Sequence, residues 1–249
     1  MVFPKYKNKH LEEALFGAEE VVRDISTRRN IPKNLPKDYI LIYDKKLLTR
    51  LKRKYDLRYY GKIFSNCRIF EYNDIGLVKI DGVGSPHAVA VFEEIVAIGG
   101  KRFLNIGTAG GLQREGIFLC NKAIRDEGTS HHYIAHSQFA YPDVELTKKL
   151  GKSLESLGLK YEIAPSWTID APYRETKAEI AHYKKQGIAT VEMEASALFA
   201  VAKLRKVKIA SAFVVSDVLG KKWEPKFHHF NTKQGLNKLV EAAFNCFGK

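Results

Sequence analysis

A chain of 249 residues that is 45% hydrophobic, with 18 glycines and 8 prolines, is long and apolar enough for one globular domain over residues 1–249. Three scattered cysteines, Cys67, Cys120 and Cys246, make no CxxC pair, which argues against a disulfide framework or a zinc site and matches a reducing cytoplasm. The net charge of +13, from 41 basic and 28 acidic residues, suits an anionic substrate or a polyanion, but no nucleic-acid signature accompanies the basic clusters, no apolar run can span a bilayer, and the lysine-rich residues 1–10 are no signal peptide.

In chain order, the apolar run YILIY at 39–43 predicts a buried strand, and the basic stretch 45–55 a helix. Short strands follow at 67–72 and 76–80. Residues 85–98 predict a helix with Pro86 in its first turn, where the missing N–H costs nothing, and Gly99-Gly100 ends it. Strands are expected at 103–106, 118–124, 161–167 and 208–215. Helices are expected at 144–157, 177–186, 196–204 and 232–247. This alternation predicts an α/β layer fold with a buried central sheet, in which ligands collect at the carboxyl ends of strands.

Several polar motifs interrupt the pattern. Thr190-Val191-Glu192-Met193-Glu194-Ala195 places two carboxylates around a thioether at the entry to an apolar helix. Such acids need polar partners. Glu194 as a carboxylate could accept both hydroxyls of a vicinal diol, and Met193 could supply an apolar floor under a ring; a capped helix with an acidic first turn explains the same residues. Gly82-Val83-Gly84-Ser85-Pro86 and Gly107-Thr108-Ala109-Gly110-Gly111 are glycine-rich turns at strand ends, able to bring backbone N–H groups close to an anion. Neither is a Walker or dinucleotide loop, and alone each reads as a tight turn. Asp217, after the apolar strand, is a costly buried carboxylate unless paired or used; it suits a proton donor, or it caps the next turn. Residues 167–175, Trp167 to Glu175, read as a loop with aromatic and polar groups suited to a planar base. His131-His132 and His228-His229 lack metal-ligand spacing, so no metal is expected.

Taken in order, these motifs, with Ala123-Ile124-Arg125-Asp126-Glu127-Gly128-Thr129-Ser130 between them, resemble the nucleoside phosphorylase family of the purine and uridine phosphorylase type over roughly residues 65–245. The resemblance implies a three-layer α/β/α sandwich with a mixed central β-sheet, assembled as a homo-oligomer, a dimer or a trimer of dimers. It implies displacement of a base from ribosyl C1 by phosphate, with phosphate as co-substrate and no cofactor. Under it, Glu194 holds the ribose hydroxyls, Met193 packs on the sugar and Glu192 supports the site. Thr108, Gly107, Gly84 and Arg68 fall to phosphate, with Arg68 reaching across a dimer. His10 resembles a histidine donated by the neighbouring subunit to the ribose. Asp217 protonates the leaving base, which Trp167, Tyr173 and Arg174 would also contact.

Two departures qualify it. The family's Gly-Asp-Pro-Gly-Arg type phosphate loop should fall at Tyr43-Asp44-Lys45-Lys46-Leu47, where the glycines and arginine are absent, and Asn105 stands where an arginine is usual. Lys45, Lys46 or Arg50 are the substitutes at hand, although lysine lacks the bidentate fork of arginine. Asn105 before a glycine-rich turn is similar to the related nucleosidases, which use water. The sequence therefore points first to phosphorolysis of ribonucleosides, purine before uridine. Hydrolysis is the alternative, and a catalytically silent nucleoside binder is the third reading.

Overall fold

The computed structural model describes residues 3–29, 31–32, 34–60, 64, 66–220, 222–227 and 229–248. Met1, Val2 and His228, which bear on the leader and histidine-pair readings, lie outside the described residues. The strands are β1 (Asp38–Ile42), β2 (Arg58–Tyr59), β3 (Cys67–Tyr72), β4 (Ile75–Ile80), β5 (Arg102–Gly111), β6 (Ile117–Asp126), β7 (Phe139–Ala140), β8 (Glu162–Ile169), β9 (Thr190–Glu192), β10 (Lys208–Leu219) and β11 (Trp223–Pro225). The helices are α1 (Ala18–Arg28), α2 (Lys45–Lys54), α3 (Ser85–Ala97), α4 (Val144–Ser156), α5 (Lys177–Lys185), α6 (Ala195–Arg205) and α7 (Phe230–Phe247).

Local chemistry starts several helices where they begin. Asp44 caps α2 by accepting from the Lys46 and Leu47 amides, at 2.5 and 3.1 Å. Asp143 caps α4 through the Leu146 amide at 2.8 Å. Thr176 and Glu179 form a reciprocal capping box on α5. Helix α6 is different: residues Ala195 to Ala202 are buried on every side, so its burial comes from tertiary packing on α3 and the sheet rather than from one apolar stripe.

All strands join one mixed sheet ordered β11-β10-β6-β8-β9-β5-β1-β4-β3-β2, with β7 on β6. Strand β5 also pairs in parallel with β10, so β5, β10, β6, β8 and β9 close into a ring. Side chains alternate across the sheet as strand geometry requires. Tyr39 and Leu41 of β1 join Phe92 of α3 and Phe199 of α6 in one apolar layer. Ile40 and Ile42 join Leu48 of α2, Leu150 of α4 and Leu239 of α7 on the opposite face. The protein is thus the expected three-layer α/β/α sandwich with a mixed sheet. A third cluster packs Trp167, Ile124, Ile188 and Val191 against Ile180 and Tyr183 of α5.

The structure departs from the sequence reading at ring strands and edges. Residues Gly107 to Gly111 are not a turn but the second half of β5, paired with β10 and β9. Cross-strand hydrogen bonding overrides the low strand propensity of glycine here. The Glu192 segment enters α6 from the short strand β9, and α1, β2, β7 and β11 have no counterpart in the predicted elements. Strand β10 continues past Val215 to Leu219, so Asp217 sits inside the strand, not after it. The pairing register slips between Val215 and Asp217, leaving Ser216 as an extra residue against β5. Such a bulge re-aims the side chain that follows it.

Gly76 of β4 lies opposite Tyr39 of β1, and a Cβ there would stand 2.2 Å from the buried Tyr39 ring. Gly76→Ala is expected to cost about 1–3 kcal/mol through overpacking. Thermal denaturation checks this; an unchanged Tm would show that the ring does not depend on that space.

Candidate functional site

A cavity of about 920 Å³ opens at the carboxyl ends of β5 and β10. Thr108, Glu194, Met193, Glu192, Asp217 and Tyr173 are among its lining residues, and Gly107 lines it too. Motifs far apart in the chain are therefore brought to one wall.

Glu192 and Glu194 occupy different environments two residues apart. Glu192 Oε2 accepts from the Glu194 and Ala195 amides at 2.8 and 2.7 Å, capping the amino end of α6. Its Oε1 accepts from the Thr168 hydroxyl at 2.6 Å and the Ser166 hydroxyl at 3.2 Å. Burial pushes the Glu192 pKa upward, and these donors oppose that shift. The capped-helix reading thus accounts for Glu192.

Glu194 Oε1 accepts from the Gly84 amide at 2.6 Å, and the Met193 backbone adds a second, local donor. Met193 is clasped alongside, its carbonyl accepting from the Ser85 hydroxyl at 2.7 Å. The two motifs thus lock together, and Gly84 itself has φ of 96°, a conformation that favours glycine. Burial, and then the Glu192 charge, raise the Glu194 pKa to about 7, with backbone hydrogen bonds from Gly84 and Met193 pulling it down. A carboxylate can accept more hydrogen bonds than these backbone donors supply, which leaves capacity for hydroxyl donors.

At the other end of the cavity, Asp217 accepts from the Ser216 hydroxyl at Oδ1, 2.9 Å, and from the Trp223 indole N–H at Oδ2, 2.8 Å. Glu175 lines the same cavity, and burial followed by the Asp217 charge raises its pKa to about 7. Tyr173 is 99% exposed at the rim.

The positions at Tyr43 and Asn105, where the resemblance leads one to expect cations, carry none. Tyr43 lines the wall, its hydroxyl donating to Asn105 Oδ1 at 2.8 Å, and the Asn105 amide donates to the Ser211 hydroxyl at 3.1 Å. The positions where cations are missing are thus joined in a neutral chain. The substitutes named from sequence do not reach it. Lys45 and Lys46 are exposed on α2 because Asp44 starts that helix at once, and Arg50 donates to Asn237 of α7 at 2.9 Å.

Other predicted residues lie off this cavity. Trp167 is fully buried beneath α5, its indole donating to Asp126 at 2.9 Å and its ring packed on Tyr183, so it cannot face a base. Arg174 is exposed beside Tyr173 and is not on the wall. Arg68 pairs with Asp81 at 2.6 Å on β3. His10 borders a separate cavity of about 1030 Å³ between residues 3–18 and α3. The Arg125 segment is structural: its buried guanidinium donates to Ser130, Ala135 and Ser137, while Glu127 accepts from Ser196 of α6. Among the described residues no group of His, Cys, Asp or Glu is arranged to hold a metal ion, and no helix is long and apolar enough to cross a membrane. Sequence reasoning missed Tyr43, Glu175 and Trp223 as wall residues. Tyr43 had a signal, since it stands where the phosphate loop should begin; Trp223 had none.

A carboxyl whose pKa is raised on folding binds more protons in the native than in the unfolded protein. Between its usual range near 4.5 and about 7, Glu194 therefore makes stability fall as pH rises. Glu194→Gln is expected to flatten part of that fall in Tm; curves that stay parallel from pH 4.5 to 7 would contradict the shift.

The family model described as the phosphorylase superfamily matches residues 66–247. A purine nucleoside phosphorylase of Plasmodium vivax is 33% identical over 170 residues, covering 65% of this chain and 69% of that one. Among solved structures, an AMP nucleosidase from Bacteroides thetaiotaomicron superposes with a TM-score of 0.75 at 19% identity, covering 92% of this chain and 97% of the other. A uridine phosphorylase from Vibrio fischeri gives 0.73 at 24% identity, covering 87% and 92%. The matched segment contains the Gly84–Glu194 clasp, β5 and the bulged strand bearing Asp217, and the chain belongs to the phosphorylase superfamily.

Proposed function

We propose that the protein is a ribonucleoside phosphorylase, purine before uridine, that converts a nucleoside and phosphate into free base and ribose 1-phosphate. The observation that carries this is a pair of carboxylates lining one cavity, Glu194 held by backbone N–H groups and Asp217 held by side-chain donors. Glu194 takes the ribose 2′- and 3′-hydroxyls, Met193 floors the sugar, and Glu192 holds the turn that presents both. A phosphate oxygen, positioned by Thr108 and the Gly107 backbone, bonds to C1′ as the C1′–N bond breaks. The bonding pair leaves with the base. Asp217 delivers a proton to a purine ring nitrogen, so that the departing base is neutral. Tyr173 closes the base end. No cofactor enters the step.

Relatives named for purine and uridine phosphorolysis support the reaction class. Asp217 in the cavity supports purine. In this reading the whole chain works as one cytoplasmic domain within a homo-oligomer, a dimer or a trimer of dimers. Arg68 and His10, which lie off their own subunit's cavity, serve a neighbour's phosphate and ribose.

One observation favours a second reading, hydrolysis. The neutral Tyr43–Asn105–Ser211 chain gives the acceptor end no cation of its own, and the lysines among the described cavity residues, Lys177 and Lys222, belong with Glu175 and Trp223 near the base end. Water needs no cation; phosphate does.

The deciding assay incubates inosine, adenosine, guanosine and uridine with and without phosphate and identifies the sugar. Ribose 1-phosphate formed only with phosphate is expected; free ribose at an unchanged rate without phosphate would make the protein a hydrolase. Glu194→Ala is expected to lower kcat/KM about a hundredfold or more, since it removes charge-assisted bonds worth about 1.5–3 kcal/mol each. Near-native turnover in that variant would overturn the ribose assignment.

A further inference from the structure

Both oxygens of Asp217 are engaged within the protein, and the two donors are unlike. Trp223 reaches Oδ2 across the hairpin formed by β10 and β11, in which Asp217 pairs with Pro225 and Leu219 with Trp223. An indole N–H can only donate. Ser216, the bulge residue, donates to Oδ1 at 2.9 Å, but its hydroxyl also lies 3.4 Å from the Ala109 carbonyl. A hydroxyl can rotate from one acceptor to the other.

We propose that Trp223 is a positioning residue for base departure, pinning Oδ2 of Asp217 as a permanent acceptor so that Oδ1 is the oxygen that carries and delivers the proton. This rests on the reading of Asp217 as proton donor to a purine. When Oδ1 is ionised, the Ser216 hydroxyl donates to it. When Oδ1 is protonated, that hydroxyl turns to the Ala109 carbonyl and leaves the acid proton aimed at the base. As the glycosidic bond breaks, the O–H bond at Oδ1 gives its proton to the base nitrogen and keeps its electron pair. Asp217 returns to the carboxylate that both donors support.

Trp223 is 60% exposed on a short edge strand. It is not part of a core layer, so its indole N–H can be removed with little disturbance to the fold. The charged groups that share the cavity with Asp217 are Glu175 before α5, Lys177 on α5, Glu192 and Glu194 at the start of α6, and Lys222 beside β11. The indole differs from them in bonding to the carboxylate itself.

The test compares Trp223→Phe with the unaltered protein on inosine and on 7-methylguanosine, whose base already carries a positive charge at N7 and departs without a proton there. Losing the Trp223 donor frees Oδ2 to turn, so the effect should fall on the substrate whose base needs a proton and spare the one whose base does not. Inosine kcat should fall about tenfold from lost aim, with 7-methylguanosine within about twofold. Both substrates slowed equally, or neither slowed, would overturn the proposal. Asp217→Asn run in parallel separates the two levels. If it spares the inosine to 7-methylguanosine ratio, or if no purine nucleoside is turned over at all, the proton-donor reading fails and Trp223 falls with it. If Asp217→Asn collapses the ratio and Trp223→Phe does not, only the Trp223 assignment fails. An unchanged Tm for Trp223→Phe confirms that the comparison is made on folded protein.

Discussion

The clasp between the amino ends of α3 and α6 is the constraint on which the site depends. Glu192 is buried where an isolated carboxylate would be costly, and it is tolerated because amides of α6 and hydroxyls of β8 surround it. Helix α6 in turn gains an anion where its unsatisfied N–H groups and macrodipole favour one. With that end satisfied, Met193 and Glu194 are held in a fixed turn, and the Gly84 amide and Ser85 hydroxyl bind them to α3. One carboxylate of the pair is spent on structure so that the other can be left short of donors.

The same logic of supplied and withheld partners separates the two ends of the cavity. At the base end, Asp217 is brought inward by the one-residue bulge at Ser216 and cradled by it and Trp223. At the acceptor end, Tyr43 and Asn105 satisfy each other and present no charge. The +13 charge of the chain lies mainly elsewhere, as on the exposed faces of α2 and around Lys206 and Lys208. Such a surplus raises the local concentration of anions without fixing any of them. In the proposed reaction, positioning an anionic acceptor would therefore rest on Thr108 and backbone amides.

The sequence was most legible where one local rule governs. The YILIY run became β1, alternating between the two apolar layers, and Pro86 opened α3. It was least legible where two segments share one decision. The Gly107 to Gly111 stretch has poor strand propensity, yet it extends β5 because β10 and β9 offer pairing on either side. Trp167 looked like a base platform in a polar loop, yet it lies within β8 and is buried beneath α5.

By itself, the sequence determined the layered α/β alternation and the motifs that become the clasp, because residue spacing and turn chemistry act over a few neighbours. It also determined which cations are missing, since that is a matter of residue identity. Only the tertiary structure decided that Glu192 supports while Glu194 faces the cavity, that Tyr43 closes on Asn105, and that Trp223 holds Asp217. Those outcomes depend on hydrogen bonds between separate elements and on a register slip of one residue. No local pattern records which buried donor will meet which acceptor.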